Sequence, residues 1–159
     1  MKTSCNIASP DFLAQIHSIE PSISYGGQLH YPCKLRLKDG ELIERAICTE
    51  DHRGFLTDAW VHPDSVKEII PSFDRMPARL ATKLYSAGES GMGYEIFILE
   101  MKDGSDFVFV TNNVVDFPDL PNGYTTTDIQ NVHPHKGRER SKLGYRQDKP
   151  FKWCYYVKE

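Results

Sequence analysis

No stretch of this chain approaches the roughly 18 consecutive apolar residues that a membrane-crossing helix needs. Met1 to Pro10 also lacks the apolar core of a secretory signal, so a cytoplasmic location is expected. Cysteine is sparse. Cys5, Cys33, Cys48 and Cys154 lie far apart with no CxxC pair, unlike the dense spacing of secreted disulfide scaffolds, and free thiols are expected. A bridge from Cys5 to Cys154 is the alternative. Low-complexity tracts are missing too. Hydrophobic residues at 40% and charged residues at 26% describe an ordinary globular chain rather than a disordered one.

Charge is nearly balanced overall, at −3, but it is unevenly placed. Residues 136–159 hold eight Lys/Arg against three Asp/Glu, a balance of +5, which leaves −8 for residues 1–135. An acidic body followed by a basic tail is the electrostatic pattern.

The chain repeats itself. Leu37-Lys38-Asp39-Gly40 recurs as Met101-Lys102-Asp103-Gly104 at an offset of 64. Trp60 meets Tyr124 at the same offset, and Val66, Ile69 and Pro71 meet Ile129, Val132 and Pro134 one residue closer. Upstream, Pro10, Leu13 and Ala14 meet Pro77, Leu80 and Ala81 at an offset of 67. Order, spacing and residue type agree across both units. The boundaries read as an N-terminal segment 1–9, repeat 10–71, linker 72–76, repeat 77–134 and a basic tail 135–159 that ends in an aromatic strand.

Each repeat opens with a proline near a helix start. Ser9 fits the N-cap position, Pro10 the first turn, and Phe12, Leu13 and Ile16 an apolar face; Pro77, Leu80 and Leu84 are the counterparts. Gly-bearing turns follow at Tyr25-Gly26-Gly27 and Gly91-Met92-Gly93. Next comes an Asp-Gly hairpin, for which a two-residue turn predicts Leu37 opposite Leu42, Leu35 opposite Glu44 and Cys33 opposite Ala46. The first hairpin then has one apolar face (Cys33, Leu35, Leu37, Leu42, Ala46, Cys48) and one charged face. In the second, Phe97, Leu99, Met101, Val108 and Val110 share a face while Ile96, Ile98, Phe107 and Phe109 occupy the reverse. Being apolar on both sides, that hairpin needs covering by the other repeat, a helix or another subunit.

The order of strand, Asp-Gly hairpin, loop, aromatic, short turn and strand resembles SH3-like and Sm-like small barrels over about 40 residues per copy. That resemblance implies a mainly β chain with short helices (α+β), built as an internal duplication of a small SH3-like unit plus a C-terminal strand. It further implies binding of peptides or nucleic acids, although fold does not dictate function.

Residues able to do chemistry are scattered. A zinc reading would gather His30, Cys33, Cys48, His52, His133 and His135, but apart from His30 and Cys33 the spacings do not form the usual compact ligand pairs. Cys48 with His52 is the one local thiol–base pairing, with no orienting acid or oxyanion donors beside it. Cys33 aligns with Phe97 and His133 with Ile70, which favours packing roles for both. Gly88-Glu89-Ser90-Gly91-Met92-Gly93 looks superficially like a phosphate loop, yet it follows a helix and precedes a strand, the reverse of the order such loops require. No cofactor or metal is expected.

The leading expectation is a non-catalytic protein-binding or regulatory module, inhibitor-, antitoxin- or immunity-like, that meets a basic partner through an acidic surface. Asp51, Asp58, Asp64, Glu68, Asp116 and Asp119, placed in loops between strands, supply the charge, with Trp60 and Tyr124 as anchors where exposed. The alternative is nucleic-acid binding by the tail through Lys136, Arg138, Arg140, Lys142, Arg146, Lys149 and Trp153, since a single strand needs cations for phosphates and rings for bases. Against that stands the reading in which Phe151, Trp153, Tyr155 and Val157 dock as a last strand. An enzyme using a metal or a thiol is a third class, and homo-oligomerisation through the second repeat is a further expectation.

Overall fold

The computed structural model describes residues 7–51 and 61–158, the side chains of 141–143 excepted. In chain order the elements are α1 (Pro10–Ile16), β1 (Ser22–Ile23), β2 (Leu29–Leu37), β3 (Leu42–Glu50), β4 (Val66–Ile70), α2 (Ala78–Ser86), β5 (Glu95–Met101), β6 (Asp106–Thr111), β7 (Ile129–Pro134) and β8 (Lys152–Tyr156). Strands predominate, as the sequence pattern predicts, and the described residues form two α-helices and two sheets. By packing the chain forms two units: Met1–Pro21, Gln28–Ser72 and Phe151–Glu159 make the first, and Ser22–Gly27 with Phe73–Pro150 the second.

The first unit runs β8-β3-β2-β4, with β8 parallel to β3 and the other pairs antiparallel. Ser9 accepts the Phe12 N–H at 3.0 Å and Pro10 occupies the first turn, so α1 starts where the capping signals place it. Its Phe12 and Ile16 enter a core with Leu35, Ile43, Ala46, Ile69 and Tyr156. Gln15 does something else. Its amide accepts the Ile69 N–H at 2.8 Å and donates to the Lys67 carbonyl at 3.2 Å, satisfying an edge strand as a neighbouring strand would.

The second unit carries β6-β5-β7, all antiparallel. Leu80, Ala81 and Leu84 of α2 pack with Phe97, Leu99, Met101, Phe109 and Val132. Strand pairing in the two units follows one plan. Leu35 pairs with Ile69 and Leu99 with Val132, while an irregularity falls between Arg36 and Leu37 in one and between Glu100 and Met101 in the other. The Lys38 N–H bonds the Ser65 carbonyl and the Lys102 N–H the Asp128 carbonyl, each at 2.8 Å.

Both hairpin turns depart from the expected two-residue form. Leu37 N–H bonds the Glu41 carbonyl and Gly40 N–H the Leu37 carbonyl, so three residues make the loop, with Gly40 at φ +95°. Gly104 at φ +90° does the same in the second unit, and the Asp39 and Asp103 carboxylates each accept the N–H two residues on at 2.8 Å. This is the turn-plus-bulge hairpin, in which only the glycine has to be left-handed. The extra residue slips the register by one. Leu42 therefore faces Arg36 and is 38% exposed, while Ile43 pairs with Leu35 and is buried. A second irregularity between Cys33 and Leu35 restores the expected Cys33–Ala46 pair.

In the second hairpin the same slip sorts the faces differently from expectation. Phe97, Leu99, Met101, Phe107 and Phe109 share the core face, where Phe97 and Phe109 stack at 5.6 Å, and Ile96, Ile98, Val108 and Val110 share the reverse. What covers that reverse face is the front half of the basic tail. Gly137 lies so close that a Cβ there would come within 2.9 Å of Val108 and 3.1 Å of Ile98. Arg146 then pairs with β6, its N–H on the Val108 carbonyl at 3.0 Å and its carbonyl on the Val110 N–H at 2.8 Å.

The back half of the tail is β8. Cys154 and Tyr156 enter the first core, while Phe151, Trp153 and Tyr155 form a ring ladder on the other face with centroids 5.2 and 5.5 Å apart. Counted by unit, the charges are nine Lys/Arg against eleven Asp/Glu in the first and ten against eleven in the second, giving −2 and −1. The contrast of body and tail seen along the sequence is largely cancelled once the chain folds.

Candidate functional site

A group of ionisable side chains gathers in the second unit around Glu95 and Asp116, both buried, and the half-buried Asp148. Glu95 opens a strand whose other residues are mostly apolar, and it is 1% exposed. Asp116 follows β6 and is fully buried, with its carbonyl accepting the Met76 N–H at 2.7 Å. Asp148 is carried in by the tail, where backbone bonds from Asp119 to Gln147 and from Lys149 to Phe117 lace the two segments together.

Hydroxyls meet these carboxylates. Tyr85 of α2 donates to Asp116 Oδ2 at 2.5 Å and Ser22 to Asp116 Oδ1 at 2.7 Å; Tyr25 donates to Glu95 Oε2. Asp148 Oδ2 accepts the Phe117 N–H at 3.0 Å, and Arg75 donates to Ser22 Oγ at 3.0 Å. Among the described residues, Glu95 Oε1 and Asp148 Oδ1 are sealed from solvent without a hydrogen-bond partner. Burial therefore dominates their titration. It pushes the Glu95 carboxyl up to about 7 despite the Tyr25 hydroxyl that favours its charged form, and it holds Asp148 well above the usual carboxylate range. Burial and the neighbouring carboxylates likewise raise the Tyr25 and Tyr85 phenols, so both stay protonated donors.

Chemically the group is suited to holding protons rather than a cation. Asp116 has both oxygens committed to hydroxyls, and among the described residues no group of three or more His, Cys, Asp or Glu side chains is placed to hold a metal ion. Cys33, Cys48 and Cys154 converge in the first unit as free, fully buried thiols, with Cys33 and Cys48 sulfurs 3.8 Å apart. Hydrogen bonds from its two neighbours and burial push the Cys48 thiol up, which leaves it unreactive.

The glycine-rich loop 88–93 is closed on itself. Ser90 N–H bonds the Tyr94 carbonyl at 3.0 Å, and the Gly93 N–H bonds the Glu89 carboxylate at 3.3 Å. Ser90 Oγ accepts the Ile96 N–H at 2.8 Å and lies 2.8 Å from His135 Nδ1. Because a carbonyl can only accept, His135 Nε2, 2.9 Å from the Ala87 carbonyl, carries a proton and donates it there. His135 holds a left-handed backbone, φ +64°, and serves as a staple joining loop, β5 and β7.

The acids expected in exposed loops divide. Asp64, Glu68 and Asp119 are exposed, whereas Asp51 at 7% and Asp116 at 0% are buried. Asp58, Trp60 and His52 lie outside the described residues. Tyr124 is half-buried, its hydroxyl 2.6 Å from Asp103 and 3.1 Å from Ser105, so it clamps the hairpin turn. In the tail, Arg138 donates to the Tyr94 hydroxyl at 3.0 Å, Arg140 pairs with Asp106 at 2.8 Å and Arg146 bonds the Asp119 carbonyl at 3.0 Å. Lys136 is exposed and Lys149 half-buried; the Lys142 side chain is not among those described. Trp153 meets the buried His30 edge-on at 5.3 Å.

Sequence reasoning missed Glu95, Asp148, Tyr25 and Tyr85. For Glu95 a signal existed, an acid at the head of a strand apolar on both faces. Comparison of the chain with family models, with curated protein sequences and with solved structures found no match in any of the three.

Proposed function

We propose that the chain is a non-catalytic protein-binding module, two copies of one small SH3-like unit, that meets a basic partner in the cytoplasm. The observation carrying this reading is the pair of exposed acids at β4, Asp64 in the turn that leads into it and Glu68 on the strand itself. Glu68 touches Arg36 at 3.4 Å, but both side chains are about half exposed, and such a pair is worth under about 1 kcal/mol. A basic partner can displace it. Asp119 adds an exposed acid on the second unit. By contrast the thiols, the Ser90–His135 pair and the buried carboxylates are all engaged in holding the fold.

Support for the duplication comes from the shared pairing plan, which reproduces the offsets of 64 and 63 read from the sequence. Nucleic-acid binding through the tail has less support, because Arg138, Arg140 and Arg146 are spent on the second unit. Co-purification from the native host at low salt tests the main reading. A stoichiometric protein partner that dissociates as salt rises is expected, and recovery of the chain alone contradicts it.

A further inference from the structure

Residues Ser22–Gly27 belong to the second unit although the chain on either side of them belongs to the first. Within the second unit their attachment is largely polar. Ile23 N–H bonds Thr82 Oγ1 at 3.0 Å, Ser22 bonds Asp116 and receives Arg75, and Tyr25 bonds Glu95. Gly26 and Gly27, at φ +67° and +84°, turn the chain back out. Apolar grip is slight, since Ile23 is 47% exposed and the Tyr25 ring, edge-on to Tyr85 at 5.2 Å, is the one large side chain packed. A segment held by few apolar contacts opens at low cost.

Tyr25 covers one oxygen of Glu95, and the other has no partner among the described residues. We propose that Ser22–Gly27 is a pH-released strap, which lies down over Glu95 while that carboxyl is protonated and lifts as it ionises, because the charge reaches water only when Tyr25 leaves. The surroundings set the direction. Glu89 from the loop after α2 and Asp116 from the connection after β6 oppose ionisation, and Asp148 on the tail is coupled to Glu95 in the same sense. The Tyr25 hydroxyl favours the carboxylate, and so does His135, which follows β7. Tyr85 of α2 acts indirectly, by binding Asp116. Burial outweighs both favourable contacts. With the carboxyl titrating near 7 under the strap and near 4.5 in water, the opening ratio grows about 30-fold between pH 5.5 and pH 8.

Amide hydrogen exchange of the full chain reads this directly, once rates are corrected for the intrinsic pH dependence of exchange. The Ile23 amide reports the strap, and the β5 amides of Phe97 and Leu99 report the sheet. Protection at Ile23 is expected to fall at least about tenfold from pH 5.5 to 8 while the β5 amides hold, and Glu95→Gln should flatten the Ile23 profile. Constant protection at Ile23, a parallel loss in β5, or an unchanged slope in Glu95→Gln overturns the proposal. Should that variant fail to fold, carboxyl carbon NMR of the unaltered protein decides. A Glu95 midpoint near 7 that coincides with the loss of Ile23 protection supports the strap, and a midpoint near 4.5 overturns it.

Discussion

Tyr85 and Asp116 are joined by a 2.5 Å hydrogen bond inside the second unit, where Tyr85 is 2% exposed and Asp116 fully buried. The same hydroxyl accepts the Val115 N–H at 3.1 Å. One oxygen thus ties α2 to the connection that follows β6. Tyr85→Phe should cost about 2 to 3 kcal/mol, because it strips a partner from a buried carboxylate and from a buried amide together. Urea unfolding of the variant measures this, and a loss under about 0.5 kcal/mol would show that water replaces the hydroxyl.

Asp148 gives a prediction with a pH sign. Its folded carboxyl titrates above its unfolded value because of burial, so its contribution to stability is fully present below the unfolded value and is lost as pH rises through the folded one. Asp148→Asn keeps an oxygen for the Phe117 N–H and removes the charge. The variant should therefore melt at a higher temperature than the unaltered protein at pH 8 and at nearly the same temperature at pH 4. An equal shift at both values would mean that charge is not the cause.

Gly137 is required twice over, by φ +100° and by its approach to Val108 and Ile98. Gly137→Ala should lose roughly 2 to 4 kcal/mol, combining left-handed strain with overpacking. Arg140→Ala, three residues on, should change stability by less than about 1 kcal/mol, since its bond to Asp106 is exposed. Thermal melts of the two variants side by side separate the tail's packing role from its charge.

Removing residues 136–159 should abolish cooperative folding, since it uncovers Ile98 and Val108 in one unit and takes Cys154 and Tyr156 from the core of the other. Loss of nucleic-acid binding on such a deletion would therefore be uninformative. Lys136→Ala with Lys149→Ala, in a chain whose circular dichroism is unchanged, tests the tail fairly. No change in a low-salt gel shift is expected, and a loss would favour the nucleic-acid reading.

Much of the fold was legible because local chemistry signalled it. Ser9-Pro10 marked a helix start, and Asp-Gly marked each hairpin. Apolar alternation marked the strands, β8 included. Register was misread because Asp-Gly serves two hairpin turns that differ by one residue, and only the bonds of Leu37 to Gly40 and Glu41 distinguish them. The site was harder to see. Ser22, Tyr25, Tyr85, Glu95, Asp116 and Asp148 span 127 positions of sequence and converge only through tertiary packing. Asp116 looked like a surface acid because its flanks read as loop, yet Tyr85 and Ser22 make its burial tolerable.

The acidic face at β4 is tested most directly by the association rate of the chain with its co-purified partner, compared with that of an Asp64→Lys, Glu68→Lys double variant of unchanged circular dichroism. Electrostatic steering predicts an association rate at least about tenfold slower in the variant, with its salt dependence flattened. An association rate and salt dependence equal to those of the unaltered protein would contradict the account.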